Sequence, residues 1–545
     1  MRRWFIGSLI VVAALVAVAS YALWRYSKRF EPFVREQAIR YLEQRFRSRV
    51  ELGSLRISAP VASLWRIRQT ALKVSGERLV LHYRNRTDLP PLVSLAKFEV
   101  ESTLESLWKS PRRIHEVRLE RLEINVPPKR ERRPVGAVEA PPDPQTDRPS
   151  PIPGKPAVTT TPVLVEMIYA KDAALRIYPD DRERPPRVFD IHNLRLSGAG
   201  TGRALHYTAT VANPRPQGII DVSGEFGPWQ TDDPGLTPLS GRYVFTNADL
   251  GVFRGIAGIL QSTGRFAGVL RRLEVQGETR TPDFRLTGSG NAVPLRTEFR
   301  SVVDGTTGDT LLQPVRATLG RTGFVAKGGV VRKPGAKLRH VSLDIVMQKG
   351  QIEDLLRLAM RGQRTLMQGE INLRAKLEIL PHDLATVERL LLEGNFDLDK
   401  TYFSAGGIQD KIDTLSRRAQ GQPRNEQIAD VLSAIRGAFR MRNGDIAFSG
   451  LKFRVPGAEI DLQGSYGLYS EAIDLRGTAR LEARVSQTMT GWKRWVLKPV
   501  DPFFSKQGAG TFLPIRIDGT RTNPHFGLDR RKDGPAENAT RARRS

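Results

Sequence analysis

Apolar and polar residues alternate along most of this chain, and the alternation predicts many short β-strands. The clearest case is the stretch 370–379, where Ile371, Leu373, Leu377 and Ile379 share one face of a strand and mostly charged residues share the other. Similar stretches recur between Gly-rich turns over most of the chain. The pattern predicts a mainly β protein and favours one continuous, irregularly repetitive sheet over several compact domains.

A few segments have the period of a helix instead. Residues 32–47 predict an amphipathic helix that either caps the first strands, which we favour, or lies on a membrane surface. Helical segments are also predicted near 352–361, 383–392 and 408–440, each followed by a strand. The Gly-containing stretch 249–270 is compatible with a short helix or a loop.

Residues 4–24 form an uncharged apolar segment with Trp or Tyr at both ends. At 1.5 Å per residue the segment spans about 30 Å, which is the thickness of the hydrocarbon core of a bilayer. It therefore predicts one N-terminal transmembrane helix, with a cleaved signal peptide ending near Ala17-Val18-Ala19 as the alternative. Basic residues flank both ends almost equally, so the charges do not set the orientation.

Composition changes along the chain suggest its organisation. Residues 127–162 contain 11 of the 36 prolines and almost no apolar periodicity, which is typical of a linker. The predicted segments are an N-terminal transmembrane anchor (1–30), an amphipathic helix with a first β segment (31–126), a Pro-rich linker (127–162), a central β region (163–350), a C-terminal α+β region (351–529) and a basic disordered tail (530–545).

The chain is strongly basic, with 85 Lys and Arg against 58 Asp and Glu and a net charge of +27. Such a charge favours an anionic partner, either a nucleic acid or an anionic lipid. The basic residues are scattered and do not alternate with aromatic residues, as they do in single-strand binders. We therefore expect no nucleic-acid partner, and a lipid partner agrees better with the predicted anchor.

No pattern in the sequence predicts an enzyme. There is no cysteine, and the seven histidines are dispersed without the local pairs that metal sites usually need. Ser94 and Lys97 match the bare S-x-x-K pattern, but in a predicted strand they face opposite sides. We expect no catalytic residues, no metal and no cofactor, although carboxylates distant in sequence could still converge.

The apolar faces of the strands have two interpretations. They could be sealed against a second sheet or helices, or they could line a gutter that shelters acyl chains, and both demand the same alternation. The candidate lining residues are the apolar positions of the best strands: Ile371, Leu373, Leu377, Ile379, Val341, Leu343, Ile345, Met347, Ile446 and Phe448.

Both ends of the chain resemble the AsmA-like family of bacterial envelope proteins. At the N-terminus the resemblance lies in the apolar segment followed by VREQAIRYLEQRFRSRVELGSLRIS at 34–58. At the C-terminus it lies in residues 444–481 and 512–529, which end in an I-x-G-T…P-x-F-x-x-D pattern. The middle of the chain is similar only in its strand pattern, and the Pro-rich linker is not expected of the family.

The resemblance implies an elongated, curved antiparallel sheet that forms a taco-like groove, as in bridge-like lipid transfer proteins. It also implies a single-pass inner-membrane anchor with the C-terminal body in the periplasm. The implied function is phospholipid transport or outer-membrane homeostasis, with phospholipid or another acyl lipid and envelope proteins as partners. The alternative is a non-transporting scaffold or regulator of outer-membrane protein assembly.

Overall fold

The computed structural model describes residues 31–529 with gaps. The gaps are residues 47, 59–70, 83–85, 104, 107–108, 111, 129–162, 180–184, 201–202, 229, 231–233, 254, 289–290, 306, 333–335, 337, 361, 363–364, 382–387, 405–406, 484–510 and 522. The predicted anchor (4–24), most of the predicted linker and the predicted tail (530–545) lie outside the described residues. Within them, no helix is both long and apolar enough to cross a bilayer.

The described part of the chain is mainly β, as the alternation predicts, with 23 strands in one sheet and two in a small second sheet. Its three α-helices are α1 (Glu31–Phe46), α2 (Ile352–Ala359) and α3 (Ile408–Ala419), and two short 3-10 helices span Pro234–Leu236 and Leu250–Val252. The strands are β1 (Val50–Ser58), β2 (Ala71–Leu81), β3 (Val93–Thr103), β4 (Arg112–Val126), β5 (Val163–Ile177), β6 (Arg187–Gly200), β7 (Leu205–Pro214), β8 (Gln217–Phe226), β9 (Pro238–Asp249), β10 (Ile256–Ala257), β11 (Ile259–Val269), β12 (Arg272–Thr281), β13 (Arg285–Leu286), β14 (Leu295–Val303), β15 (Thr310–Leu319), β16 (Thr322–Val331), β17 (His340–Gln351), β18 (Met367–Ile379), β19 (Leu390–Phe403), β20 (Ser433–Arg442), β21 (Asp445–Val455), β22 (Ala458–Gly467), β23 (Ala472–Leu481), β24 (Thr511–Thr520) and β25 (Pro524–Leu528).

The chain divides into two compact units. Unit 1 comprises residues 1–249, 261–277 and 302–308, and unit 2 comprises residues 250–260, 278–301 and 309–545. Strands β1–β9 belong to unit 1 and β15–β25 to unit 2.

In unit 1 the consecutive strands β1–β9 pair with one another, and β1–β6 share one buried apolar face. Helix α1 covers the start of this face, because Ala38 and Leu42 are buried in the same cluster as β1 and β2. Arg35 Nε also donates a hydrogen bond of 2.7 Å to the carbonyl of Leu52 in β1. The helix predicted over 32–47 therefore forms and packs on the first strands.

Strands β4 and β5 pair in parallel, which corrects the prediction of a purely antiparallel sheet. Arg112 lies beside Val163 and Val126 beside Ile177. A parallel pair cannot be joined by a hairpin, since the chain must return along the whole strand before the next one starts. For a strand of 15 residues the return is roughly 50 Å. The Pro-rich segment 127–162 connects β4 to β5 and is long enough for this return.

In unit 2 the strands β15–β25 form a continuous antiparallel series, each pairing with the next. Helix α2 follows β17 directly, and α3 lies between β19 and β20, so both lie at the same end of the strands. We call this the helix end and the opposite one the far end. At the far end, the tight connection between β20 and β21 contains Asn443 and Gly444, both with positive φ.

Alternate strands of unit 2 contain a β-bulge at a similar level. Each of β17, β19 and β21 has one residue more than its neighbours, near Lys349, Lys400 and Gly450. These three residues have φ of 50°, 49° and 59°, the left-handed conformation found at many bulges. The extra residue shifts the alternation by one, so that apolar side chains before and after the bulge stay on the same face. In β19, for example, Leu398 and Phe403 both point to the apolar side.

Three local expectations are wrong. Residues 390–392 begin β19 and residues 433–440 belong to β20, although helices are predicted there. Residues 259–269 form β11, within the stretch 249–270 where a helix or loop is expected. In each case the segment pairs with a neighbouring strand, and this pairing overrides the modest intrinsic preference for a helix. The helix predicted near 352–361 and the first part of the one near 408–440 are confirmed as α2 and α3.

Candidate functional site

All ten candidate lining residues lie on one face of unit 2. The register places Val341 beside Ile379, Leu343 beside Leu377, and Met347 beside Leu373. Apolar rows continue over several strands, and one of them contains Ile345, Ala375, Gly394, Phe439, Phe448, Gly464, Leu475, Ile517 and Phe526. We call this surface the apolar face of unit 2.

The helix end of the apolar face is sealed. Ile352 of α2 is buried in one cluster with Met347 and Ile371, which are only 3% and 4% exposed. Ile412 of α3 is buried against Val455 and neighbouring residues of β22 and β23. Two of the ten candidates, Met347 and Ile371, therefore belong to a packed core, and Leu373 and Phe448 pack against it.

The far end of the apolar face is different. Val341, Leu343, Ile345, Leu377 and Ile379 are all partly exposed, and none of them belongs to the buried clusters. Neither α2 nor α3 lies at this end of the strands. A contiguous set of aliphatic side chains is thus left partly exposed, and its members are neighbours in both directions of the sheet.

Phenylalanine rings mark the middle of the face. Phe396 of β19 and Phe448 of β21 meet edge to face with ring centroids 6.4 Å apart, although β20 runs between them. The contact is possible because Gly437, the residue of β20 beside Phe396, has no side chain. Phe439 lies 6.2 Å from the ring of Phe396, so three strands contribute to one aromatic cluster.

Burial at the far end changes the pKa of one titratable group. Tyr466 lies beside Ile446 on β22, and its burial raises the pKa of its phenol above 10.0. Desolvation is the main cause, and Glu471 adds to it.

Several residues of the face were not among the sequence candidates. They are Phe396, Leu398, Ile435, Phe439, Leu451, Phe453, Ile460 and Leu462. The alternation in 394–398 was a usable signal, but the bulges in β19 and β21 break the period of two within these strands. The apolar positions in 433–439 were missed because a helix is predicted there.

Unit 1 contains one arrangement that resembles catalytic machinery. Ser106 Oγ lies 3.2 Å from His115 Nε2, and His115 Nδ1 lies 3.0 Å from Glu166 Oε2. This is the connectivity of a Ser-His-acid triad. However, the His115 and Glu166 side chains are 42% and 40% exposed, and the backbone N–H of Ser106 already donates to Thr103 Oγ1. At this hydrated site the amide of Ser106 is already occupied, so it is not a preorganised donor for an oxyanion.

Other chemistry is sparse in the described residues. They contain no group of three or more His, Asp or Glu residues that could hold a metal ion. The buried carboxylates serve as structural anchors: Asp354 of α2 accepts hydrogen bonds from the Thr322 hydroxyl and the Arg321 amide, both at 2.9 Å. The apolar face of unit 2 is therefore the candidate functional site.

Comparison with family models, with curated proteins and with solved structures found no match. The resemblance to AsmA-like proteins stays a prediction from the residues at the two ends of the chain.

Proposed function

We propose that this protein is a membrane-anchored lipid-handling protein of the AsmA-like type, with its anchor at residues 4–24 in the inner membrane and its body in the periplasm. Acyl chains of a phospholipid or a similar lipid lie on the apolar face of unit 2, within a longer curved groove. The protein acts without chemical catalysis, in phospholipid transport or outer-membrane homeostasis.

The observation that carries this proposal is the partly exposed far end of the apolar face. Side chains such as Leu343, Ile345 and Leu377 form contiguous apolar surface instead of scattered single contacts. Contiguous exposed apolar patches on soluble domains usually mark a binding surface. An acyl chain offers the complementary surface, since it has no polar group to desolvate.

The energetics require such continuity. Each methylene group exposed to water costs about 0.8 kcal/mol, so a 16-carbon chain loses roughly 12 kcal/mol on leaving a bilayer. Only an unbroken apolar path offsets this loss along the whole chain. Consecutive apolar positions in a row lie on neighbouring strands, about 4.8 Å apart.

The proposal is tested by lipid transfer from vesicles that contain the full chain to acceptor vesicles, with a phospholipid that carries a fluorescent acyl chain. The test variant is Leu343→Glu with Leu377→Glu, a directly opposed pair on the apolar face. The control is Val325→Glu with Val346→Glu, a directly opposed pair on the other face, where both valines are exposed.

We expect the first variant to lower transfer to the rate of empty vesicles and the control to keep the wild-type rate, with equal circular dichroism for both. Transfer that is unchanged in the first variant would overturn lipid handling at this face, and it would favour the scaffold alternative.

A further inference from the structure

The polar face of unit 2 contains a hollow of about 1060 Å³ where the three bulges lie. Two rows of side chains cross it. One row contains Asn372, Asp397, Arg436 and Lys452, and the next contains Val346, Arg374, Asn395, Ala438 and Ser449. This surface is the reverse of the apolar face, so it is separate from the proposed lipid site.

Small residues form the middle of the hollow and long basic residues form its sides. Ala438, Ser449 and Gly450 line one part, and no long side chain projects from them. Lys349 and Arg374 lie on one side of this floor, on β17 and β18, and Arg436 lies on β20. We call this site the basic hollow.

Four cations line the basic hollow, and Lys452 is paired with Asp461 at 3.5 Å, whereas Lys349, Arg374 and Arg436 have no ion pair among the described residues. No carboxylate oxygen of the described residues lies within 4.0 Å of the charged groups of Lys349, Arg374 or Arg436. Neighbouring cations on the same strands behave differently: Lys376 lies 2.6 Å from Glu378, and Arg440 lies 3.2 Å from Glu393. Asp397 is the one acid among the described residues that line the hollow, so the site has a net positive charge.

The bulge in β17 fixes the position of Lys349. Its φ of 50° turns the backbone out of the strand, and its backbone N–H donates a hydrogen bond of 3.0 Å to Asn372 Oδ1. The bulge in β19 has the same left-handed conformation at Lys400. In β17 the bulge places Lys349 at the edge of the hollow.

We infer that the basic hollow binds a phosphate-bearing oligoanion. Arginine guanidinium groups match phosphate oxygens in a bidentate fashion, and lysine adds a point charge. Arg374 and Arg436 are two strands apart, about 10 Å between backbones, so their side chains can hold different phosphate groups of one ligand. Asn395 of β19 adds a neutral hydrogen-bonding group between them, and Ser449 of β21 adds one beyond Arg436.

The test is calorimetric titration of the full chain in a non-ionic detergent, with inorganic tripolyphosphate as the probe. The test variant is Arg374→Gln with Arg436→Gln. The control is Arg300→Gln with Arg316→Gln, two exposed arginines of β14 and β15 in unit 2 whose replacement removes the same charge.

We expect saturable binding to the wild type, about 30-fold weaker binding to the test variant and less than a twofold change in the control. No saturable binding, or equal weakening by both variants, would overturn the inference, because the second result means diffuse attraction to a basic protein. Both variants should keep the wild-type circular dichroism.

A second arm identifies the source of the phosphate. Displacement of tripolyphosphate by detergent micelles that contain phosphatidylglycerol assigns the site to lipid headgroups, and retention of the probe assigns it to soluble phosphate compounds. Either outcome supports the basic hollow as a phosphate site.

Discussion

Thr401 and Ser433 lie directly opposite each other on β19 and β20, with 0% and 1% of their surfaces exposed. Neither hydroxyl has a hydrogen-bond partner among the described residues. The pair lies on the apolar side of unit 2, one step beyond the bulge at Lys400. Two buried polar groups are thus left unpaired within a packed apolar surface.

Thr401→Val should stabilise unit 2 by about 1 kcal/mol, because valine has the same shape and removes an unpaired buried hydroxyl. Thr322→Val is the matched control, since Thr322 is equally buried but its hydroxyl bonds to Asp354 and receives the backbone N–H of Gln351. The control should destabilise by about 2 kcal/mol. Urea unfolding that shifts both variants in the same direction would contradict the assignment.

Lys400→Val should destabilise unit 2 by about 1–2 kcal/mol. Lys400 has φ of 49°, which a β-branched residue adopts only with strain. Its ion pair with Glu370 is exposed and contributes little. The same change at Lys376, an exposed position of β18 without positive φ, should alter stability by less than about 0.5 kcal/mol. Hydrogen exchange of the β19 amides measures both, and equal effects would refute the bulge explanation.

Acidification should weaken unit 1 through Glu99. Hydrogen bonds from Lys73 and then Lys97 lower the pKa of Glu99 below 4.5. A carboxylate with a lowered folded-state pKa stabilises the fold above 4.5 and loses this contribution as the pH falls through the folded value. The stability difference between wild type and Glu99→Gln should therefore be present at neutral pH and shrink below pH 4.5.

The control for this titration is Glu77→Gln, at an exposed position of β2 with no ion pair among the described residues. This replacement should change the stability at neutral pH by less than about 0.5 kcal/mol, whereas the replacement of Glu99 removes two hydrogen bonds from lysine. A difference for Glu99→Gln that grows on acidification would contradict the account, because it would mean that folding raises the pKa of Glu99 instead of lowering it.

Ser106 should be unreactive despite its contact with His115. A fluorophosphonate probe should label the full chain no faster than it labels a His115→Ala variant, because the site is exposed and the amide of Ser106 is already occupied. Labelling of Ser106 that disappears in His115→Ala would show that unit 1 is a serine hydrolase after all.

The sequence predicted the strands best where the register is regular. In β18 the alternation from Ile371 to Ile379 is unbroken, and the strand forms as expected. In β19 the extra residue at Lys400 shifts the period, and lysine gives no sign of a left-handed conformation. A glycine such as Gly450 does give that sign, but it does not reveal a bulge on its own.

Features that depend on distant residues could not be predicted. The parallel pairing of β4 and β5 requires a long connection. The Pro-rich segment 127–162 is long enough, but its sequence does not indicate that the strands on either side of it pair in parallel. The basic hollow combines residues from 346 to 452, and Ser106, His115 and Glu166 come from three separate segments. The candidate lining residues could be found because most of them follow the regular alternation of apolar and polar residues within single strands.

Lipid contact on the apolar face of unit 2 is measured most directly by photo-crosslinking. p-Benzoylphenylalanine replaces Ile345 or Leu377 on the apolar face, or Val325 on the opposite face, in the full chain within a bacterial envelope. After irradiation, mass spectrometry of the purified protein should show phospholipid adducts at 345 and 377 and none at 325. Adducts that are absent from 345 and 377, or equally abundant at 325, would contradict the proposal.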